Sequence, residues 1–258
     1  MSAPTTGTLY LMPNTLDFGI DGPAPDLQEV LPLGVIRIAA GLTHWVAENA
    51  KTARAFLKRV DAVVPLSTPL QQLSMVEMPR PPKGGKAPAG AATSPWPALL
   101  APALQGHALG VISEAGLPAI ADPGAQLVAA AHAAGLTVRP LSGPSSLLMA
   151  LAASGLNGQS FAFVGYLPTD ATQRSARIRE LEALSRRAGQ SQLMIETPYR
   201  NQALLEALVA TLQPGTQLSV SGGLTMGAEF TRSGPVSAWR SRPCTLPNDV
   251  PAVFALLG

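Results

Sequence analysis

Short apolar runs of β character recur along the chain and alternate with stretches whose apolar residues fall at helical spacing. Thr8 to Met12 reads as a first strand, residues 35–39 as a second and 62–64 as a short third. Residues 108–113 and 136–141 are cleaner strands, each bounded by turn residues. Between them, residues 125–134 carry Leu127, Val128, Ala131 and Ala134 at helical spacing, and Gly135 stops that helix as a C-cap glycine. Strand, helix and strand over about thirty residues make a βαβ unit, which requires a parallel sheet covered by helices. Residues 145–154 read as the next helix.

After a short linker at 155–159 a second set begins. It predicts a strand at 161–164, a charged amphipathic helix at 171–187 and a strand at 193–196. A helix at 201–212, a strand at 217–221 and a closing strand at 250–257 follow. The fold class is therefore α/β, in two domains of similar weight: residues 1–155 and 159–258. Residues 79–97 (PRPPKGGKAPAGAATSPWP) show no hydrophobic period and read as a loop inside the first domain, with Trp96 pinning its far end.

Composition narrows the function classes. Apolar residues make up 47% of the chain and charged residues only 13%, about half the usual share for a soluble domain, which excludes a disordered protein. Eighteen basic against sixteen acidic residues leave a formal charge of +2, too little for a strong non-specific nucleic-acid binder. One cysteine, Cys244, and three scattered histidines, His44, His107 and His132, argue against a disulfide framework and a structural metal site. The first residues lack a signal-peptide pattern, and no apolar run is long enough to span a membrane, so the expectation is a cytoplasmic protein.

Three common chemistry signatures are missing. There is no G-x-G-x-x-G after a strand, no G-x-x-x-x-G-K-[ST] and no G-x-S-x-G. What stands out is a pair of small-residue turns at the ends of neighbouring strands. One runs through Ser113, Glu114, Ala115 and Gly116 to Ile120, Asp122 and Gly124; the other is Ser142-Gly143-Pro144-Ser145-Ser146. Ligands of open α/β sheets bind beyond the carboxyl ends of the strands, and such turns let a ligand approach the backbone closely. Pro144 fits a first helical position, with the N–H groups of Ser145 and Ser146 behind it facing an anionic group. The residues themselves imply an anionic small molecule of unspecified identity, or merely tight strand-to-helix connections.

SEAGLPAIADPG (113–124), AGLTVRPLSGPSSLLMALAASGL (134–156) and FVGYLP (163–168) resemble the tetrapyrrole methylase superfamily. Within it they are most similar to the branch that methylates a cytidine ribose 2′-hydroxyl in small-subunit ribosomal RNA. GTLYLMP (7–13), VAENAKTARAFL (46–57), IETPYR (195–200), LTMGAEF (224–230) and GPVSAW (234–239) extend the resemblance along nearly the whole chain. It implies two α/β domains with S-adenosylmethionine in the cleft between them, commonly in a homodimer. By matching positions it implies cofactor contacts from Leu16, Ser113, Glu114, Ala115, Ile120, Ser145, Ser146, Tyr166, Leu167, Glu196 and Leu224. Transfer of a methyl group from a sulfonium to an oxygen reduces charge, so a dry site of small apolar residues suits it. The enzyme's task is then in-line positioning and removal of one proton.

The substrate side departs from that branch. LSMVEMPRPPKGGK (73–86), which keeps one acid, Glu77, replaces a His- and Asn-Glu-bearing segment, A-E-N-A-K (47–51) replaces A-E-D-T-R, Asp170 stands where a lysine is expected, and the opening loop reads N-T-L-D-F-G (14–19). Glu48 is the candidate for orienting or deprotonating a substrate hydroxyl; its other reading is a helix-start carboxylate serving the macrodipole. Lys51 and Arg200 are the candidate substrate contacts, and no metal is expected. The expected partner is small-subunit ribosomal RNA. Two alternatives stand beside it: a tetrapyrrole C-methyltransferase, and a cofactor-binding protein that has lost catalysis.

Overall fold

A computed structural model describes residues 6–17, 24–79 and 94–258 of the chain. The chain forms two compact units: the first takes residues up to Thr15 and residues 26–144, the second the segment from Leu16 to Pro25 and residues 145–258.

In the first unit five strands, β1 (Thr8–Met12), β2 (His44–Ala47), β3 (Ser74–Glu77), β4 (Leu109–Ile112) and β5 (Thr137–Pro140), form one sheet in the order β3-β2-β4-β1-β5. Every pairing is parallel. The helices are α1 (Leu27–Val30), α2 (Leu33–Gly41), α3 (Ala50–Val63), α4 (Trp96–Leu99), α5 (Ala101–Leu104) and α6 (Ala125–Ala133). Period-two alternation sends Met12, Trp45, Ala47 and Ile112 into one core with α2 and α3. Leu9, Val46, Leu109 and Val111 face the other core, with α5 and α6. Trp45 approaches the backbone so closely that a Cβ on Gly110 would lie 2.7 Å from its ring, which explains a glycine in mid-strand.

Two expectations for this unit fail. Residues 35–39 belong to α2, not to a strand: Val35, Ile36, Ala39 and Ala40 are its buried face, at the i, i+1, i+4, i+5 spacing of a helix. Residues 62–64 are the end and C-cap of α3. The true second strand opens on His44, and the true third has only Met75 and Val76 as apolar residues and lies at the sheet edge, so neither carries a strong period. Trp96 packs against the core, whereas residues 80–93 of the Pro/Gly-rich loop lie outside the described residues.

The second unit opens with α7 (Ser146–Ser154), so this helix, which the sequence reading assigned to the first domain, packs on the second sheet. That sheet comprises β6 (Phe161–Tyr166), β7 (Ser191–Glu196), β8 (Gln217–Gly222), β9 (Phe230–Pro235) and β10 (Ala252–Leu257), ordered β6-β7-β10-β8-β9. Only β6 and β7 pair in parallel. Helices α8 (Ala171–Ala188), α9 (Asn201–Thr211) and α10 (Val236–Ser241) complete it. Met194, Leu218, Phe254 and Leu256 meet α8 and α9 on one face; Leu193, Val253 and Ala255 meet Leu147, Ala150 and Leu151 of α7 on the other. Strand β9 (FTRSGP), in which Phe230 is followed by Thr, Arg, Ser and Gly, is an element that the hydrophobic pattern does not reveal.

Candidate functional site

Chain order and strand order together select one place at the carboxyl ends of the first sheet. After β1 the chain runs outward to β2 and β3; after β4 it runs to β5 on the other side of β1. The neighbours β1 and β4 thus send their connections in opposite directions, the arrangement at which ligands of open α/β sheets are expected to bind. Asn14 leaves β1 and Ser113 leaves β4 at this point, and the register aligns Met12 with Ile112.

The two loops are bonded to each other there. Asn14, 4% exposed, donates from Nδ2 to the carbonyls of Ser113 (3.1 Å) and Glu114 (3.0 Å), and its backbone N–H donates to Gly116 O at 2.9 Å. Its Oδ1 accepts the N–H of Thr15, whose hydroxyl in turn accepts from Arg59 Nη1 on α3. Glu48 follows β2; its N–H donates to Ile112 O, and its Oε2 accepts the N–H of Glu114 at 3.1 Å. Thr52 Oγ1 donates to Glu114 Oε1 at 3.1 Å. Asn49 caps α3 by accepting from Lys51 and Thr52, which holds Thr52 at this edge.

Charge is concentrated in the same loops. Burial pushes the Glu48 carboxyl up, the Glu114 N–H draws it partly back, and the Glu114 carboxylate raises it further. Burial, then the Glu48 and Glu114 carboxylates, push Asp122 up to about 7. Ala119 and Ala121 hold φ of 69° and 64°, so the loop carrying Asp122 adopts left-handed backbone without glycine at either position. Ser113 Oγ is buried and makes no hydrogen bond, so this loop keeps one donor free.

The sequence-derived site residues distribute as follows. Glu48, Ser113, Glu114 and Ala115 come together in the first unit, and Ile120 stands half exposed farther along the same loop. Leu16 is half-buried directly after Thr15, and Lys51 projects exposed from the first turn of α3. Ser145 is the N-cap of α7 and Ser146 its first residue, so Pro144 precedes the cap and is not the first helical residue. Gly143 passes so close to Pro13 that a Cβ there would lie 2.2 Å from it, which fixes the approach of this turn to β1.

In the second unit Glu196, at the end of β7, receives both oxygens' bonds from Arg200 Nη2, at 2.7 and 2.6 Å. That carboxylate holds the Arg200 guanidinium more firmly protonated than usual. Arg200 is therefore an ion-pair partner of a buried acid. Tyr166 is 58% exposed, whereas Leu167 is buried in the core and can present only its backbone to a ligand. Leu224 packs partly buried against the α7 core, beside Thr225 with its φ of 69°. The sequence marks Asn14 only as part of a departing loop, Asp122 only as a turn residue, and assigns Thr52 no role; the signal available was an Asn two residues past the first strand.

Among the described residues no group of three or more His, Cys, Asp or Glu could hold a metal ion, and no helix is long and apolar enough to cross a membrane.

No family model matches the chain. Proteins named ribosomal RNA small subunit methyltransferase I do. The one from Mesorhizobium japonicum is 36% identical over 142 residues, 55% of this chain and 47% of that protein. The one from Streptococcus pyogenes serotype M3 is 30% identical over 206 residues, 80% of this chain and 61% of that protein. The matched region spans about half the length of the first of these relatives. Among solved structures, the methyltransferase CobJ superposes with a TM-score of 0.54 at 17% identity, covering 98% of this chain and 94% of that one. Native uroporphyrin III C-methyltransferase from Thermus thermophilus gives 0.53 at 16% identity, covering 97% of each. At such identities the likeness is one of fold. The chain is thus similar, over part of their length, to proteins named ribosomal RNA small subunit methyltransferase I, and it shares the fold of these solved methyltransferases.

Proposed function

We propose that the chain is an S-adenosylmethionine-dependent methyltransferase whose acceptor is a cytidine ribose 2′-hydroxyl in small-subunit ribosomal RNA. The observation that carries this reading is the similarity, over 80% of the chain, to a protein named for small-subunit ribosomal RNA methylation. The first unit suits the cofactor: small-residue loops meet at the strand ends, and the buried Ser113 hydroxyl is free to bond a ligand. Ser113, Glu114, Ala115 and Ile120 would hold it there, and Leu16 is proposed as a further contact. On the second unit Ser145, Ser146, Tyr166, Leu167, Glu196 and Leu224 carry the same proposal.

When bound, S-adenosylmethionine supplies the methyl group as a sulfonium. The chain's part is to align the acceptor oxygen, exclude water and take up the hydroxyl proton. Three carboxyl groups, those of Glu48, Glu114 and Asp122, stand at these strand ends for the last task. Lys51 is the proposed phosphate contact. Arg200 keeps its proposed substrate role only through the face that Glu196 leaves open. The working form is a homodimer in the cytoplasm, on the pattern the resemblance implies.

A second reading, a tetrapyrrole C-methyltransferase, is favoured by the fold neighbours. Labelled methyl transfer to undermethylated small ribosomal subunits, free RNA and uroporphyrinogen in parallel separates the two. Label in RNA at a 2′-O-methylcytidine is the expected result. Label in the porphyrinogen alone supports the second reading, and label in neither, with cofactor still bound, identifies a protein without catalysis.

A further inference from the structure

One residue in the first unit, Glu114, is held through its N–H, its carbonyl and its side chain. The Glu114 N–H donates to Glu48 Oε2 at 3.1 Å, its carbonyl accepts from Asn14 Nδ2 at 3.0 Å, and its side chain accepts from Thr52 Oγ1 at 3.1 Å. Asn14 reaches the preceding carbonyl, that of Ser113, with the same Nδ2 and binds Gly116 O through its backbone. The Asn14 amide cannot be reversed, because its Oδ1 accepts the Thr15 N–H and the opposite orientation would set oxygen against two carbonyls. Both residues are fixed at strand ends, Asn14 by its bond to Gly116 and Glu48 by its N–H to Ile112 O. The Glu48 carboxylate therefore spends one oxygen on a loop amide at the strand ends of the sheet, which is the work of an anchor.

We propose that Asn14 and Glu48 are a pair of positioning residues. Together they set the peptide planes from Ser113 to Ala115 and so decide which backbone groups of that loop face a ligand. The proposal rests on the methyltransferase reading for the identity of the ligand, and on the geometry alone for the clamp. Its chemistry differs from that of a general base at Glu48. A base needs a carboxylate to take a proton, whereas an anchor needs only an oxygen that accepts an N–H. A glutamine can supply that oxygen, and an alanine cannot. At Asn14 the requirement is a donor: an aspartate of the same shape would face two carbonyls with negative charge.

The 258-residue chain is tested with Glu48→Gln, Glu48→Ala, Asn14→Asp and Asn14→Ser, each first checked for native circular dichroism. Calorimetry with S-adenosylhomocysteine is run beside amide hydrogen exchange over residues 113–116 and, on the RNA substrate, a kcat and KM measurement. Glu48→Ala and the two Asn14 variants are expected to weaken binding roughly tenfold, the loss of one charge-assisted or buried hydrogen bond, and to speed exchange at Glu114. Glu48→Gln is expected to restore affinity and exchange to within about threefold of the parent, since its amide oxygen still accepts the Glu114 N–H. Parent-like exchange at Glu114 in Glu48→Ala overturns the clamp. So does a Glu48→Gln protein that binds normally yet has lost kcat, because it returns Glu48 to the role of base. If the parent binds no S-adenosylhomocysteine, the methyltransferase reading falls, and the exchange measurement still decides the clamp.

Discussion

Asp122 carries the clearest titration signature among the described residues. It is half-buried between Ala121 and Pro123 in the loop leaving β4, and burial, followed by the Glu48 and Glu114 carboxylates, raises it to about 7. An unfolded aspartate loses its proton near the ordinary carboxylate range, so between about pH 4 and pH 7 the folded chain binds the extra proton. Stability therefore falls as pH rises through that window, and the cost is fully developed above it. Asp122→Asn is expected to raise the melting temperature at pH 8, to leave it nearly unchanged at pH 4, and to flatten the profile between them. A variant that melts below the parent at pH 8 contradicts the assignment. At this scale the sequence was readable where chemistry is local. Ser113, Glu114 and Ala115 announce themselves as a small-residue turn, whereas Asn14 and Thr52 matter only through partners 99 and 62 residues away. No window along the chain brings those together.

Elements were readable in proportion to how strongly one period dominates. Helix α8 has eighteen residues, a clear charged face and Gly189 in the left-handed conformation at its end, and its predicted bounds differ by one residue. Helix α2 was mistaken for a strand because its nine residues are apolar nearly all round, where strand and helix cannot be told apart by pattern. Asp170 shows how a departure from a family pattern acquires a local meaning. Where the ribosomal-RNA branch has a lysine, this aspartate is the N-cap of α8, its side chain accepting the Gln173 N–H at 2.8 Å. Asp170→Ala is expected to destabilise the chain by about 1 kcal/mol in urea titrations, with Asp170→Asn recovering most of it. Equal stability of the parent and the alanine variant would show that the cap contributes nothing.

On the scale of the whole molecule, low charge sets the terms for any RNA partner. Eighteen basic residues are nearly balanced by sixteen acidic ones, and the exposed Lys51, Arg54 and Lys58 lie together on α3. With about three phosphate contacts, the logarithm of RNA affinity should fall with the logarithm of salt at a slope of roughly −2 to −3. A slope several times steeper would require a basic surface elsewhere. The two-unit α/β class was legible because βαβ periodicity survives without long-range knowledge, whereas the strand order was not, since β4 inserts between two older strands. That insertion governs how the chain must assemble as it is made. Strand β1 lies inside the sheet, yet its neighbours β4 and β5 begin at Leu109 and Thr137. At synthesis rates of about 5–20 residues per second, this apolar strand emerges roughly 5 to 25 seconds before both its flanks exist. The first sheet can close only from its middle, late, when β4 slides in beside a strand that has waited for it.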